Sequence, residues 1–137
     1  MKRRGAALIE FAGSLMLLSG MFVGIFQTGY TFYSYSTLVN AVRAGARYAS
    51  LQPYGTANAD PQFAKAVQNM VVFGEPKPAP TAAPLVPGLK PENVELILGT
   101  DTATVSLRGF EIDALFSTLK LDGRPSVTFP MTPGASK

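Results

Sequence analysis

Side chains able to do proton or metal chemistry are scarce in this sequence. It contains no histidine and no cysteine, so imidazole bases, thiol nucleophiles, disulfides and the usual zinc ligand sets are excluded together. Carboxylates remain. Asp101, Glu111, Asp113 and Asp122 are scattered through the second half on apparent turns and caps. Two paired carboxylates can hydrolyse a glycoside, but nothing in this spacing brings two of them together. The stretch "GTDTA" around Asp101 lacks the dense oxygen-ligand periodicity of a calcium loop. The expectation is therefore solvated acids, with no catalytic residue, no metal site and no cofactor.

One acid is different. Glu10 follows Lys2, Arg3, Arg4 and Gly5 in "KRRGAALIEF", and it is the only charged residue from Ala6 to Val42. An ionised side chain at the edge of a long apolar run is costly unless something pairs with it or it reaches water. Both readings stay open on the residues alone: a carboxylate that snorkels to water near the helix end, or one that pairs with a cation from elsewhere.

The element that carries Glu10 is a long helix. Roughly twenty apolar residues suffice to span a bilayer, and "LIEFAGSLMLLSGMFVGIFQ" is apolar on every face until about Gln27. Beyond it, Tyr30, Phe32, Tyr33 and Tyr35 mix with Thr28, Thr31 and Ser34, a composition suited to a membrane–water interface. Lys2, Arg3 and Arg4 precede the run closely, which predicts the amino terminus in the cytoplasm and the rest outside. A cleavable secretory signal has an apolar core of about 7 to 15 residues. This run is far longer, and the nearest small-x-small cut, Ala44 to Ala46, lies too deep.

The helix continues past the interface. In "STLVNAVRAGARYASLQ", Leu38, Val42, Ala46 and Ala49 recur at helical spacing while Asn40, Arg43 and Arg47 turn elsewhere. Pro53 and Tyr54-Gly55 are expected to end it. From Ala6 to about Leu51 it would be on the order of 70 Å long and would protrude from a membrane as a stalk. Gly13, Gly20, Gly24 and Gly29 each cost about 1 kcal/mol in an aqueous helix interior. Gly20 and Gly24 stand one turn apart, the small-xxx-small arrangement that lets helices approach closely in lipid.

Composition limits the rest. At 137 residues and 47% apolar content, the chain holds at most one modest globular domain beyond the helix. The net charge of +3 comes without a basic run interleaved with aromatics, so a nucleic-acid face is not expected. "DPQFAKAVQNMVVFG" predicts a second helix with Asp60 as N-cap, Pro61 at the first helical position, and Phe63, Ala64, Val67 and Met70 inward, stopping at Gly74. The proline-dense stretch 75–91 reads as an extended linker or a loop laid along a surface. Val94, Leu96 and Leu98 alternate as a strand, Gly99 to Thr102 turns, and Val105 and Leu107 share a face. "EIDALFSTLKL" has Ile112, Leu115, Phe116 and Leu119 at helical spacing and predicts a short helix. Val127 and Phe129 give a last strand stopped by Pro130, at an edge. The fold class is α+β, with about three antiparallel strands on two helices and a small core.

The residues also carry a resemblance. "RRGAALIEFAGSLMLLSGMFVGIFQTGYTFYSYSTLVNAVRAGARYAS" resembles the amino-terminal half of TadE-like proteins, minor pilin-like components of tight-adherence (Tad) pilus systems related to type IV pili. Two parts carry it: the small-residue and "EF" opening before a long apolar helix, and "NAVRAGARYAS", similar to the family's "NAAREGARYA". Ala44 and Gly45 stand where the family often shows an acidic residue. The resemblance implies cleavage of a 1–5 leader between Gly5 and Ala6 by a prepilin peptidase, a pilin-like assembly helix over 6–51, and an extracytoplasmic α+β domain over 52–137. It implies no enzyme. Ala6, Glu10 and Phe11 would take part in subunit assembly, and Gly13, Gly20 and Gly24 in helix packing. Glu10 of one subunit would pair with the new α-amino group of a neighbour, which has a reference pKa near 8. Expected partners are other pilin-like subunits, the peptidase, the inner-membrane assembly machinery and the bilayer, with no nucleic acid. The expected location is the bacterial cytoplasmic membrane, single-pass, or the extracellular pilus. The implied role is a minor subunit; a main filament subunit, or an uncleaved membrane-anchored binding domain, is the alternative.

Overall fold

A computed structural model of the protein describes residues 2–51, 61–99, 101–114 and 117–131. Helix α1 runs unbroken over Lys2–Ser50 and α2 over Pro61–Phe73. A single 3₁₀ turn at Pro91–Asn93 leads into strands β1 (Val94–Leu98), β2 (Thr102–Leu107), β3 (Phe110–Ala114), β4 (Ser117–Leu121) and β5 (Ser126–Pro130). The architecture is the α+β one expected. Asp60, Pro53 and Tyr54-Gly55, the cap and stop signals proposed for the two helices, lie outside the described residues.

Only the outer half of α1 is packed. Leu38, Ala41, Val42, Ala46 and Ala49 are buried, the face its spacing predicts. Helix α1 meets α2 and also crosses β2 and β5, while α2 lies against β1 and the 3₁₀ turn. From α2, Phe63, Val67, Val71 and Val72 enter the same core. Helix α2 ends as its sequence implies. Gly74, at φ +79°, donates its N–H to Met70 O at 3.0 Å, a left-handed cap that few residues other than glycine adopt without strain.

The proline-dense segment is fastened to this cap. Leu85 N–H donates to Val72 O at 2.8 Å, satisfying a carbonyl left without a partner by the helix end, and Asn69 Nδ2 donates to Pro76 O at 3.3 Å. Val86 and Leu89 are buried in the core. The loop runs over the surface but plugs it with two apolar side chains.

Strands β1, β2 and β5 form an antiparallel sheet in the order β1-β2-β5. The pairs Val94↔Leu107, Leu96↔Val105 and Leu98↔Ala103, continued by Val105↔Val127 and Ala103↔Phe129, set one apolar face against the helices. The opposite face carries Thr104 and Thr128, whose hydroxyls hydrogen-bond at 2.8 Å. Strand β5 is an edge and ends at Pro130, as the sequence implies.

The expected helix over Ile112–Leu119 is not formed. Strands β3 and β4 make an antiparallel hairpin there, pairing Phe110↔Leu121 and Ile112↔Leu119. The i, i+3, i+4, i+7 apolar spacing that suggested a helix is also what two strands of period two give when a short junction separates them and reverses their phase. Phe110, just before that window, and Leu121, just after it, are buried with Ile112 and decide for the hairpin. Leu115 and Phe116 lie outside the described residues.

Candidate functional site

The surface most exposed for function is α1 itself. Every residue from Gly5 to Phe26 is exposed, and Gln27 is the first that is partly covered. This bare section is roughly 33 Å long at about 1.5 Å per residue, close to the ~30 Å hydrocarbon thickness of a bilayer. It presents Leu8, Ile9, Phe11, Leu15, Met16, Leu17, Leu18, Met21, Phe22 and Ile25 outward. So large an unshared apolar surface is not tolerated in water. The helix is long and apolar enough to cross a membrane and suits a single-pass anchor.

The predicted site residues all fall on this bare section. Gly5, Ala6, Glu10, Phe11, Gly13, Gly20 and Gly24 are exposed. Beta-carbons added at Gly13, Gly20 or Gly24 would meet nothing, so these glycines are not required by packing within the chain. At about 100° per residue, Glu10, Gly13, Gly20 and Gly24 lie within about 80° of one another. Extended along the helix, the same sector contains Leu38, Val42, Ala46 and Ala49, residues seated in the outer domain. The acid and the glycines thus line the side of α1 that lies beneath that domain.

Gly45 was not foreseen as a packing residue. It is buried between α1 and α2, with Val67 O 3.6 Å from where its β-carbon would stand and Val71 Cγ2 in direct conflict with that position. The signal was available in the sequence, since a glycine flanked by Ala44 and Ala46 in a helix costs stability unless something comes close.

The acids of the outer domain are arranged differently from the expectation. Strand alternation puts Glu111 and Asp113 on one face of β3, and both line a solvent-open cleft of about 530 Å³ with Tyr30, Lys90, Glu92 and Asn93. Glu111 is drawn to Lys120 Nζ at 3.3 Å across the hairpin. Among the described residues no three acids converge as a metal-binding group would require. Asn93 is the organising polar residue of this corner: its Nδ2 donates to Arg108 O and Gly109 O, each at 3.2 Å, and its Oδ1 accepts from Lys90 N–H at 3.1 Å.

Comparison with known families adds one finding. Residues 5–47 match the family model described as TadE-like protein. The amino-terminal segment is TadE-like. That TadE-like segment begins where the bare section of α1 begins, includes its whole length and the packed residues Leu38 to Ala46, and ends three residues short of the helix terminus at Ser50. The match covers the helix and leaves the outer domain unmatched. No curated protein and no solved structure matches the chain.

Proposed function

We propose that this TadE-like chain is a minor pilin-like subunit, a pseudopilin, that acts by assembling with other pilin-like helices in a Tad-type pilus. The observation that carries this reading is the double environment of α1: one continuous helix, bare and apolar over residues 5–26, then seated in an α+β domain from Ser34 to Ser50. Such a helix can rest in lipid and exchange lipid for like helices without changing its fold, because neither environment asks its backbone for hydrogen bonds.

Processing after Gly5 supplies the missing charge partner. The exposure of Gly5 and Ala6 supports access by a membrane peptidase, and removal of residues 1–5 leaves Glu10 one turn from a new amino terminus. A carboxylate there is favoured by the helix dipole. Pairing with the Ala6 amine of a neighbour neutralises two charges that are each costly to bury alone, and fixes the axial register of the two subunits. The protein then sits in the cytoplasmic membrane with its outer domain outside until it is assembled.

The test is intact-mass measurement on pili sheared from cells. Recovery of this chain in the pilus fraction, beginning at Ala6 and at low stoichiometry, is the expected result. Recovery as the bulk of the fibre would make it the main subunit instead, and a chain that still carries Met1 and stays in the membrane would make it an uncleaved anchored domain.

A further inference from the structure

We propose that the β3–β4 hairpin lies in the outer headgroup layer of the bilayer, with Leu119 against lipid, so that the outer domain is docked onto the membrane surface beside α1. The inference rests on α1 spanning the membrane and goes beyond it, because a spanning helix alone would allow the domain to stand clear of the lipid.

The depth of the hairpin follows from what it faces. Leu119 shares a groove with Gly24, Gln27, Thr28, Thr31, Phe32 and Tyr35 of α1. Gly24 belongs to the bare apolar section, and Thr28 to Tyr35 follow it directly. If the section 5–26 fills the hydrocarbon, the middle of this groove stands only a few ångströms above it, within a headgroup layer about 5 to 8 Å deep on each side. The hairpin therefore occupies the first layer that the chain meets on leaving the membrane.

The chemistry of the groove suits lipid. Thr28 Oγ1 donates to Gly24 O at 2.9 Å and Thr31 Oγ1 to Gln27 O at 3.0 Å. Both hydroxyls are turned back on helix carbonyls, so they ask nothing of the surroundings, and the wall is mostly methyl groups and aromatic rings, with the amide of Gln27 among them at headgroup depth. Phe32 and Tyr33, both exposed, stand at the same level, the position where amphipathic rings are favoured at a bilayer surface. Leu119 remains 42% exposed although its cross-strand partner Ile112 is buried. The occupant is taken to be lipid because the groove is continuous at Gly24 with the surface that lipid already covers.

The absence of cysteine from the sequence makes single-cysteine reporters straightforward. The full chain is reconstituted into phosphatidylethanolamine–phosphatidylglycerol vesicles, and into nanodiscs holding one chain each. Reporters are fluorophores at Leu119→Cys, at Thr118→Cys as a second site on the same strand, at Leu15→Cys in the span and at Asn40→Cys on the exposed side of α1. The expected result is several-fold stronger quenching of the labels at 119 and 118 by nitroxide lipids of shallow depth, and several-fold weaker quenching by aqueous iodide, than at position 40. This pattern should persist in the single-chain nanodiscs. Aqueous behaviour at both hairpin sites, with position 15 quenched by lipid, overturns the docking while leaving the span intact. Protection that vanishes in single-chain nanodiscs overturns it in favour of a second copy in the groove. Aqueous behaviour at position 15 overturns the spanning reading and the docking with it.

Discussion

Gly45 of α1 lies so close to Val71 of α2 that a β-carbon at position 45 would overlap Val71 Cγ2. Because valine in a helix is held to essentially one rotamer, that methyl cannot swing aside, and the two helices approach only as far as the bare glycine permits. Gly45→Ala sets overpacking of about 1 to 3 kcal/mol against a helix-propensity gain of about 1 kcal/mol. The expected outcome is a net loss of about 1 kcal/mol, seen as a lower unfolding midpoint of the full chain in detergent. In a double-mutant cycle with Val71→Ala, the cost of the alanine at 45 should shrink or reverse. Additive effects would mean that the helices adjust by moving apart.

Asn93 joins the proline-dense loop to the end of β2 through three hydrogen bonds. Each contributes about 0.5 to 1.5 kcal/mol when partly exposed, and their loss is not fully additive. Asn93→Ala should therefore cost about 1 to 2 kcal/mol in thermal unfolding. Hydrogen exchange should quicken first at Arg108, whose own N–H is held by Asn93 O at 2.8 Å.

Glu10→Gln keeps the shape of the side chain and removes its charge. Membrane insertion of the full chain should be unchanged or improved, since the residue is the one charge in the span. Loss of one member of a buried ion pair costs about 3 to 5 kcal/mol, which corresponds to roughly a hundredfold or more in an assembly equilibrium. Immunoblots of membrane and sheared-pilus fractions should accordingly show normal levels in the first and near absence from the second. Equal recovery in pili would remove Glu10 from any role in assembly.

Gly20→Leu and Gly24→Leu alter positions where an added β-carbon would meet nothing within the chain. The stability of the outer domain should not change. Contact with a neighbouring helix should weaken, because a bulky side chain keeps backbones apart in lipid. The measurement is cysteine crosslinking between subunits in native membranes, with the crosslinked fraction falling several-fold in either variant. An unchanged fraction would assign these glycines to lipid-facing positions of no consequence.

The helix could be read from the sequence because its signals agree over many residues. Ala6 to Gln27 is apolar on all sides, and Leu38, Val42, Ala46 and Ala49 then keep one face apolar, so the change from lipid-suited to core-suited helix is written in the pattern. The sheet was equally plain at Val94 to Leu98 and Val105 to Leu107, where alternation is clean. It failed at Ile112 to Leu119. Apolar residues on either side of a short junction imitate helical spacing, and only cross-strand partners, Phe110 with Leu121 and Glu111 with Lys120, separate the two readings. The cleft lined by Glu111 and Asp113 was hidden for the same reason, since a helix would have turned the two to different sides. The alignment of Glu10 with the glycines needed only the helical period, but its continuity with the seated face became visible once the buried residues of α1 were known.

The hairpin leaves the sheet after Leu107 and returns to it before Ser126, and Gly123 N–H donates to Leu107 O at 2.8 Å. Its two ends are thus clasped together before β2 and β5 resume their pairing. An excursion pinned in this way is a graft point: its length and tip can be exchanged without disturbing the register of the strands on either side. A longer or shorter hairpin grafted there would reach deeper or shallower along the stalk, while the frame that holds the helix stays the same.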